Sequence, residues 1–262
     1  MPNQYVSGYN IYMTKFVYLT DLHWGYGVGR KPVHNLKALN AVENFVEDFK
    51  PDVVILGGDM LDCSMLSHWN KDSRRDVEGL RILNDARELD KHIARLKASC
   101  KELVYIIGNH EAWLDQLEDK YPGLDGLLSV QHLLPSLAGC KVIEQGGSHH
   151  IGKLWFIHGD QFSGGEHVAK KAVEAYGRNV RFGHFHTAQV HTKFSALDAS
   201  DIKTGIAVPG LCKRNPSYGR GSPNRWTNGF LWGYIYPNGH FNDYLTLIVD
   251  GKFMAEGKEY KG

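Results

Sequence analysis

Five stretches of this chain share one design: a short apolar run that breaks off into residues able to bind a metal ion. KFVYLT (15–20) runs into DLHWG, PDVVIL (51–56) into GGDMLD, ELVYII (102–107) into GNHE, and KLWFI (153–157) into HGD. The end at Arg181-Phe182 runs into GHFH. Apolar runs of this length bounded by turn formers read as buried strands. Asp21 and His23, Asp59 and Asp62, Asn109, His110 and Glu111, His158 and Asp160, and His184 and His186 therefore all fall just past a strand's carboxyl end. That is where ligands sit in open α/β sheets. One acid or amide in such a place is ordinarily a cap or turn residue. Five stations in succession point to one shared site, a metal centre.

The segments between the runs support a layered α/β arrangement. Residues 34–49 place Leu36, Leu39, Val42, Phe45, Val46 and Phe49 at helical spacing, and Leu89, Ile93 and Leu96 mark a second amphipathic helix in the charged segment 71–100. The first half is thus strand–helix–strand–helix–strand. In the second half, 165–176 reads as a short helix with Val168, Ala172 and Ala175 on one face. IKTGIAV (202–208) and GFLWGYIY (229–236) read as strands, and the turn signals Pro237-Asn238-Gly239 and Asp250-Gly251 suggest a C-terminal β-meander. His149 and His150 fall at a surface hairpin turn. No linker or internal repeat divides the chain, so one domain over 1–262 is expected.

Composition excludes some classes. At 262 residues, 42% hydrophobic and 23% charged, the chain can bury a sizeable core. Its net charge of +1 neither demands nor excludes a nucleic-acid partner. Cys63, Cys100, Cys140 and Cys212 form no CxxC pair, which argues against a disulfide framework or zinc knuckle and for a reducing compartment. No apolar run approaches the ~20 residues of a membrane span and no secretory h-region opens the chain, so a cytoplasmic protein with no membrane partner is expected. Carboxylate, imidazole and carboxamide donors without thiolate suit hard-to-borderline divalent ions. Their number exceeds the needs of one tetrahedral ion, and two ions about 3.5–4 Å apart account for it better. Glu111 and Asp160 read as groups that orient histidine ligands.

The ordered series D-x-H, G-D, G-N-H-E, H and G-H-x-H, from Asp21 to His186, resembles the calcineurin-like metallophosphoesterase superfamily. The resemblance implies a four-layer αββα sandwich of two mixed β-sheets flanked by helices. It also implies two divalent ions, Mn2+ first, with Fe2+, Zn2+, Mg2+ or Ni2+ as alternatives. Asp21, His23 and His186 would hold one ion and Asn109, His158 and His184 the other, with Asp59 bridging. A metal-bridging hydroxide would be the nucleophile, and His110, not itself a ligand, would face the substrate as the catalytic acid. On a strand end His184 and His186 point the same way, roughly 6–7 Å apart at Cα. That span suits two ions, with Phe185 turned into the core.

The branch follows from departures. Protein Ser/Thr phosphatases resemble one another in a GDxVDRG block whose arginine helps bind phosphate. Here the block is GGDMLDCSM, with Asp62 in register and no arginine after it. The phosphodiesterase and nuclease branch fits better, although its motif usually ends in Asp where this chain has Glu111. The short length, GNHE and tail also resemble metallophosphoesterases encoded in phages and prophages. The tail, 209–229, interleaves Lys213, Arg214, Arg220 and Arg225 with Tyr218 and Trp226 in a Gly/Pro/Ser/Asn-rich loop, and 64–76 adds His68, Trp69, Arg74 and Arg75. Basic side chains with stacking aromatics suit single-stranded nucleic acid, and a merely solvated loop is the plain alternative. The expected function is hydrolysis of nucleic-acid or nucleotide-like phosphodiesters, DNA or RNA among them. Phosphomonoesterase activity, including a protein-phosphatase-like one, and a non-catalytic protein-binding scaffold are the alternatives.

Overall fold

In the computed structural model, residues 13–67, 77–198, 200–216 and 224–262 are described. The first apolar runs form β1 (Thr14–Leu19), β2 (Val53–Leu56) and β3 (Glu102–Ile106), which pair in parallel, and β3 continues to β4 (Lys141–Ile143). β1, β2 and β3 are buried on both faces, so each reads as an apolar run, not an alternating one. Val17, Leu19, Val54, Leu56, Leu103 and Tyr105 face a helical layer, while Phe16, Tyr18, Val53, Ile55, Val104 and Ile106 face a second sheet.

The helical layer is α1 (Leu36–Phe49) and α2 (Ile82–Ala98). The Asn35 side chain caps α1 by accepting from the Ala38 N–H, and Lys50 ends it in the left-handed conformation (φ 49°). Leu89, Ile93 and Leu96 of α2 are buried against α1 and the sheet. A third helix, α3 (Asn109–Lys120), begins at the GNHE motif, and α4 (Val130–Leu133) follows. Helix α3 carries no apolar stripe at helical spacing that the sequence would show, because only Ala112 and Leu114 bring apolar side chains fully into the core.

The second sheet runs β5-β6-β7-β9-β8, built from β5 (His149–Ile151), β6 (Leu154–Ile157), β7 (Asn179–Phe182), β8 (Gln189–Phe194) and β9 (Ile202–Ala207). His149 and His150 therefore sit in an edge strand paired with β6, not at the turn, and the His150 ring stacks on Trp155. Outside this sheet packs α5 (Val168–Tyr176) through Val168, Ala169, Ala172 and Val173. Ala175 is exposed; the buried face is set by the i, i+1, i+4, i+5 positions.

The last strands divide between two sheets. β10 (Asn228–Ile235) pairs antiparallel with β1 and with β11 (Phe241–Ile248), completing a mixed first sheet in the order β11-β10-β1-β2-β3-β4. β12 (Lys252–Ala255) and β13 (Lys258–Lys261) form a separate hairpin whose Phe253 and Tyr260 pack on Phe45 of α1. The hairpin thus packs on α1 and does not extend the meander beyond β11. The result is an αββα sandwich of two mixed sheets. Among the described residues, no helix is long and apolar enough to cross a membrane.

Candidate metal centre

The loops after β1 and β2 leave the sheet side by side. Asp21 N–H donates to the Gly58 carbonyl (3.0 Å), His23 N–H to that of Asp59 (2.9 Å) and Trp24 N–H to that of Met60 (2.7 Å). This ladder brings DLH and GDMLD to one place. The loop after β7 joins them when the His184 N–H donates to Asp21 Oδ2 (2.8 Å). Close approach needs glycine: a Cβ on Gly183 would lie 2.1 Å from Thr20 Oγ1, and one on Gly108 would lie 2.2 Å from Asp59 Oδ1.

Asp21, His23, Asp59, His184 and His186 all have positive φ, between 48° and 67°, half of the ten such non-glycine residues among those described. Conformations this sparsely populated persist only where surrounding structure imposes them, and they cluster at functional sites. They also correct the strand-end reading of GHFH. His184 and His186 lie in a bend past the end of β7, and their left-handed backbone sends them into separate clusters. Phe185 is only partly buried, packed against the cluster of Phe182.

Two groups of donors result: Asp21, His23 and His186, and Asp59, His158 and His184. Asp59 Oδ2 stands between them, 3.3 Å from His158 Nε2 and 3.8 Å from His23 Nε2. Asn109 Oδ1 lies 3.1 Å from His158 Nε2. The tautomers follow from the partners on the far side of each ring. His158 Nδ1 can only donate to the Gly57 carbonyl (2.9 Å), which leaves its Nε2 lone pair facing two oxygens. His23 Nδ1 faces Asp62 Oδ1 (3.3 Å), so its Nε2 lone pair meets Nε2 of His186 at 3.2 Å. Asp21 Oδ1, 3.1 Å from that His186 atom, is buried without a hydrogen-bond partner among the described residues. Converging lone pairs repel unless a proton or a metal ion lies among them. Both clusters fit divalent cations.

The electrostatics agree. Burial raises the Asp59 carboxyl, but His158 and His110 outweigh it and hold the acid well below its ordinary range. Asp21, raised by burial and lowered more by His186, falls to about 2. Burial lowers His158, yet Asp59 and Asp21 drive it up to about 10. Burial and His158 push His184 down. Without metal, the acids hold a proton on His158 where a cation would otherwise balance them.

His110 sits at the margin. Its Nδ1 bonds to the Asp62 carbonyl, its Nε2 is 4.0 Å from Asp59 Oδ2, and its ring lies 4.4 Å from that of His23 and 4.2 Å from that of Trp113. With His23 and Asp62 it forms a third group of possible donors. Glu111 does not orient a histidine. Its carboxylate accepts the N–H groups of Asp59, Met60, Leu61 and Gly108 and the Tyr105 hydroxyl, which pins the Asp59 loop to the start of α3. Asp160 does not hydrogen-bond a histidine ligand either: it accepts from Gln145 Nε2 (2.6 Å), and its other oxygen is buried without a partner among the described residues. The residues that do back the ligands are Asp62 behind His23 and Cys212, whose Sγ lies 3.4 Å from His186 Nδ1. Asp62 was visible three places after Asp59. Cys212, 26 residues from His186, gave no local signal.

Of the residues expected to meet substrate, Trp226 lies over the centre, its ring 4.0 Å from that of His186. Arg214 Nε donates to the Trp226 carbonyl (2.9 Å), and Arg225 pairs with Glu166 (2.5 Å). His68, Trp69, Tyr218 and Arg220 lie outside the described residues.

An αββα sandwich with imidazole, carboxylate and carboxamide donors gathered past its strand ends defines the metallophosphoesterase class. The chain belongs to the calcineurin-like phosphoesterase family, whose model matches residues 14–194. It is similar to the Gene 54 protein of Mycobacterium phage D29, 27% identical over 86% of this chain and 93% of that protein. The Gene 54 protein of Mycobacterium phage L5 is 24% identical over 88% and 94%. Among solved structures, Chaetomium thermophilum Vps29 is similar at a TM-score of 0.44 and 9% identity, covering 90% of this chain and 97% of that one.

Proposed function

We propose that this protein is a two-metal phosphodiesterase acting on nucleic-acid or nucleotide-like diesters. The observation that carries this reading is Asp59 Oδ2 standing between two donor clusters, 3.3 Å from one and 3.8 Å from the other. Asp21, His23 and His186 would hold one ion, Asn109, His158 and His184 the other, and Asp59 both. When bound, divalent cations supply charge to the phosphoryl oxygens and lower the pKa of water. Mn2+ heads the candidates, with Fe2+, Zn2+, Mg2+ and Ni2+ as alternatives, all of them hard-to-borderline ions that suit donors without thiolate.

The chain's own residues supply the rest. Asp62 turns His23 and the Gly57 carbonyl turns His158, so each presents a lone pair inward. The Asp62 carbonyl fixes the His110 ring by accepting its Nδ1–H, so that a second proton, on Nε2 of the imidazolium, is the one handed to the departing oxygen, leaving the neutral Nδ1–H ring. A diester also suits the charge of the site better than a monoester dianion. Where the phosphatase block places arginine, Cys63 is buried in the core, 3% exposed. Trp226 over His186 offers a face on which a base can stack.

The test is turnover of bis-para-nitrophenyl phosphate, para-nitrophenyl phosphate and single- and double-stranded DNA and RNA, with each divalent metal. The diester and at least one polynucleotide should be cleaved faster than the monoester. Preference for the monoester would replace this reading with a phosphomonoesterase, and no turnover with two bound metals would favour a protein-binding scaffold.

A further inference from the structure

Beside the metal centre lies a cavity of about 570 Å³ that the chemistry above does not use. Lys37, Lys213 and Arg214 line it, and Asp250 is the one carboxylate among its lining residues. Lys37 comes from one part of the chain and the neighbours Lys213 and Arg214 from another. Lys37 stands in the first turn of α1, and Lys213 is held beside the entry to α1 by its N–H donating to the Val33 carbonyl (2.7 Å). Arg214 is tethered to the Trp226 carbonyl. Among the described residues, none of the three forms an ion pair.

The rest of the wall has a different character. Leu247 and Val249 line it while 47% and 67% exposed, an apolar surface left open to a ligand. Thr227 also lines it, and its Oγ1 is buried without a hydrogen-bond partner among the described residues. The same backbone joins cavity and metal centre: the Thr227 N–H donates to the His186 carbonyl (2.9 Å), and the neighbouring Trp226 covers the His186 ring. The volume falls within the ~300–1,000 Å³ of small-ligand sites, which accommodates a nucleotide unit and excludes a folded partner.

Three cations against one carboxylate, an unsatisfied hydroxyl and an open apolar wall match a phosphate joined to a flat ring. We propose that this cavity is an anion subsite for a nucleotide of the single strand flanking the scissile diester. Lys37, Lys213 and Arg214 take the phosphate, and Leu247 and Val249 take the base. The inference rests on the nucleic-acid reading of the metal centre and extends the substrate path beyond it.

The test uses the full-length, metal-loaded protein and a short fluorescent single-stranded DNA with hydrolysis-resistant phosphorothioate linkages. Anisotropy titrations across a salt series give the slope of log Kd against log salt. Each phosphate neutralised on a single strand contributes about 0.7 to that slope. Lys37→Gln combined with Lys213→Gln removes two of the three cations on that one phosphate and should therefore flatten it by up to about 0.7, whereas the double Lys→Arg variant should retain it. Lys120→Gln, on the exposed end of α3, controls for general charge. Lys37 is exposed and Lys213 half-exposed, and a melting curve checks that the variants fold. A wild-type slope in the double Gln variant, an equal effect of Lys120→Gln, or no binding by the wild type would overturn the subsite. Hydrolysis of bis-para-nitrophenyl phosphate by the wild type judges the diesterase reading separately. Turnover of that ester without DNA binding removes the subsite alone. Lysine-dependent DNA binding without turnover supports the subsite and removes the diesterase reading.

Discussion

At the scale of single residues, the centre depends on which way each ring nitrogen points. His184 and His186 are two apart in sequence but belong to different donor clusters. His186→Ala should deplete one ion and His184→Ala the other, each leaving its partner ion largely in place, as measured by elemental analysis at limiting metal. Loss of both ions from both variants would show the sites to be too coupled for this assignment. His110 presents a different question, because it stands beside both His23 and Asp62. As an acid it should be dispensable for metal: His110→Ala should keep two ions per chain and lose kcat by about 10²–10⁴-fold. The loss should shrink for esters with good leaving groups. A fall in metal content would instead make His110 a ligand.

At the scale of elements, α3 holds the site together through its first turn. Glu111 is fully buried and accepts four backbone N–H groups and a tyrosine hydroxyl. Glu111→Gln turns one acceptor into a donor facing those N–H groups, so it should cost about 1–3 kcal/mol in a urea melt. It should also weaken metal binding through the displaced Asp59 loop. Helix α2 adds a pH dependence. Asp85, in its first turn and 7% exposed, is pushed up to about 7 by burial and by Asp62. A carboxyl with a raised folded-state pKa stabilises the fold when protonated, and that contribution is lost as pH climbs from the unfolded value towards 7. Metal-free wild type should therefore lose about 2 kcal/mol relative to Asp85→Asn between acid and neutral pH, once solvent screening is allowed for. Chemical denaturation at a series of pH values measures it; parallel curves for the two proteins would refute it.

At the scale of the whole molecule, the two sheets are joined by more than apolar packing. Arg181 of β7 is 1% exposed, pairs with Asp243 of β11 in the opposite sheet, and donates to the Thr204 carbonyl (2.8 Å) and hydroxyl (2.9 Å). Asp243→Ala would strand that guanidinium in the interior, at a cost of about 3–5 kcal/mol. Replacing both partners by apolar residues should recover most of it. Equilibrium unfolding of the three proteins checks both statements.

The strands and long helices were legible in the sequence because burial on both faces writes unbroken apolar runs and a helix on a sheet writes a 3.6-residue stripe. The ligand stations were legible for a related reason: β1, β2 and β3 run parallel in one sheet and β6 and β7 in the other, so within each set the carboxyl ends lie on one side. Helix α3 was not, since its role is to carry Glu111 and His110 and only a few of its side chains enter the core. Nor were the roles of Glu111, Asp160 and Cys212, which depend on groups brought near only by the folded loops. The divergence of His184 and His186 is of the same kind. Residue spacing predicts a shared face, but a left-handed backbone at φ 67° and 55° overrides it. The sequence by itself determined which residues gather and in what kind of layers, because burial and strand order act locally on residue type. Only the tertiary structure decided which oxygen faces which nitrogen, because those contacts join loops 26 to 163 residues apart and depend on backbone conformations that only close packing holds in place.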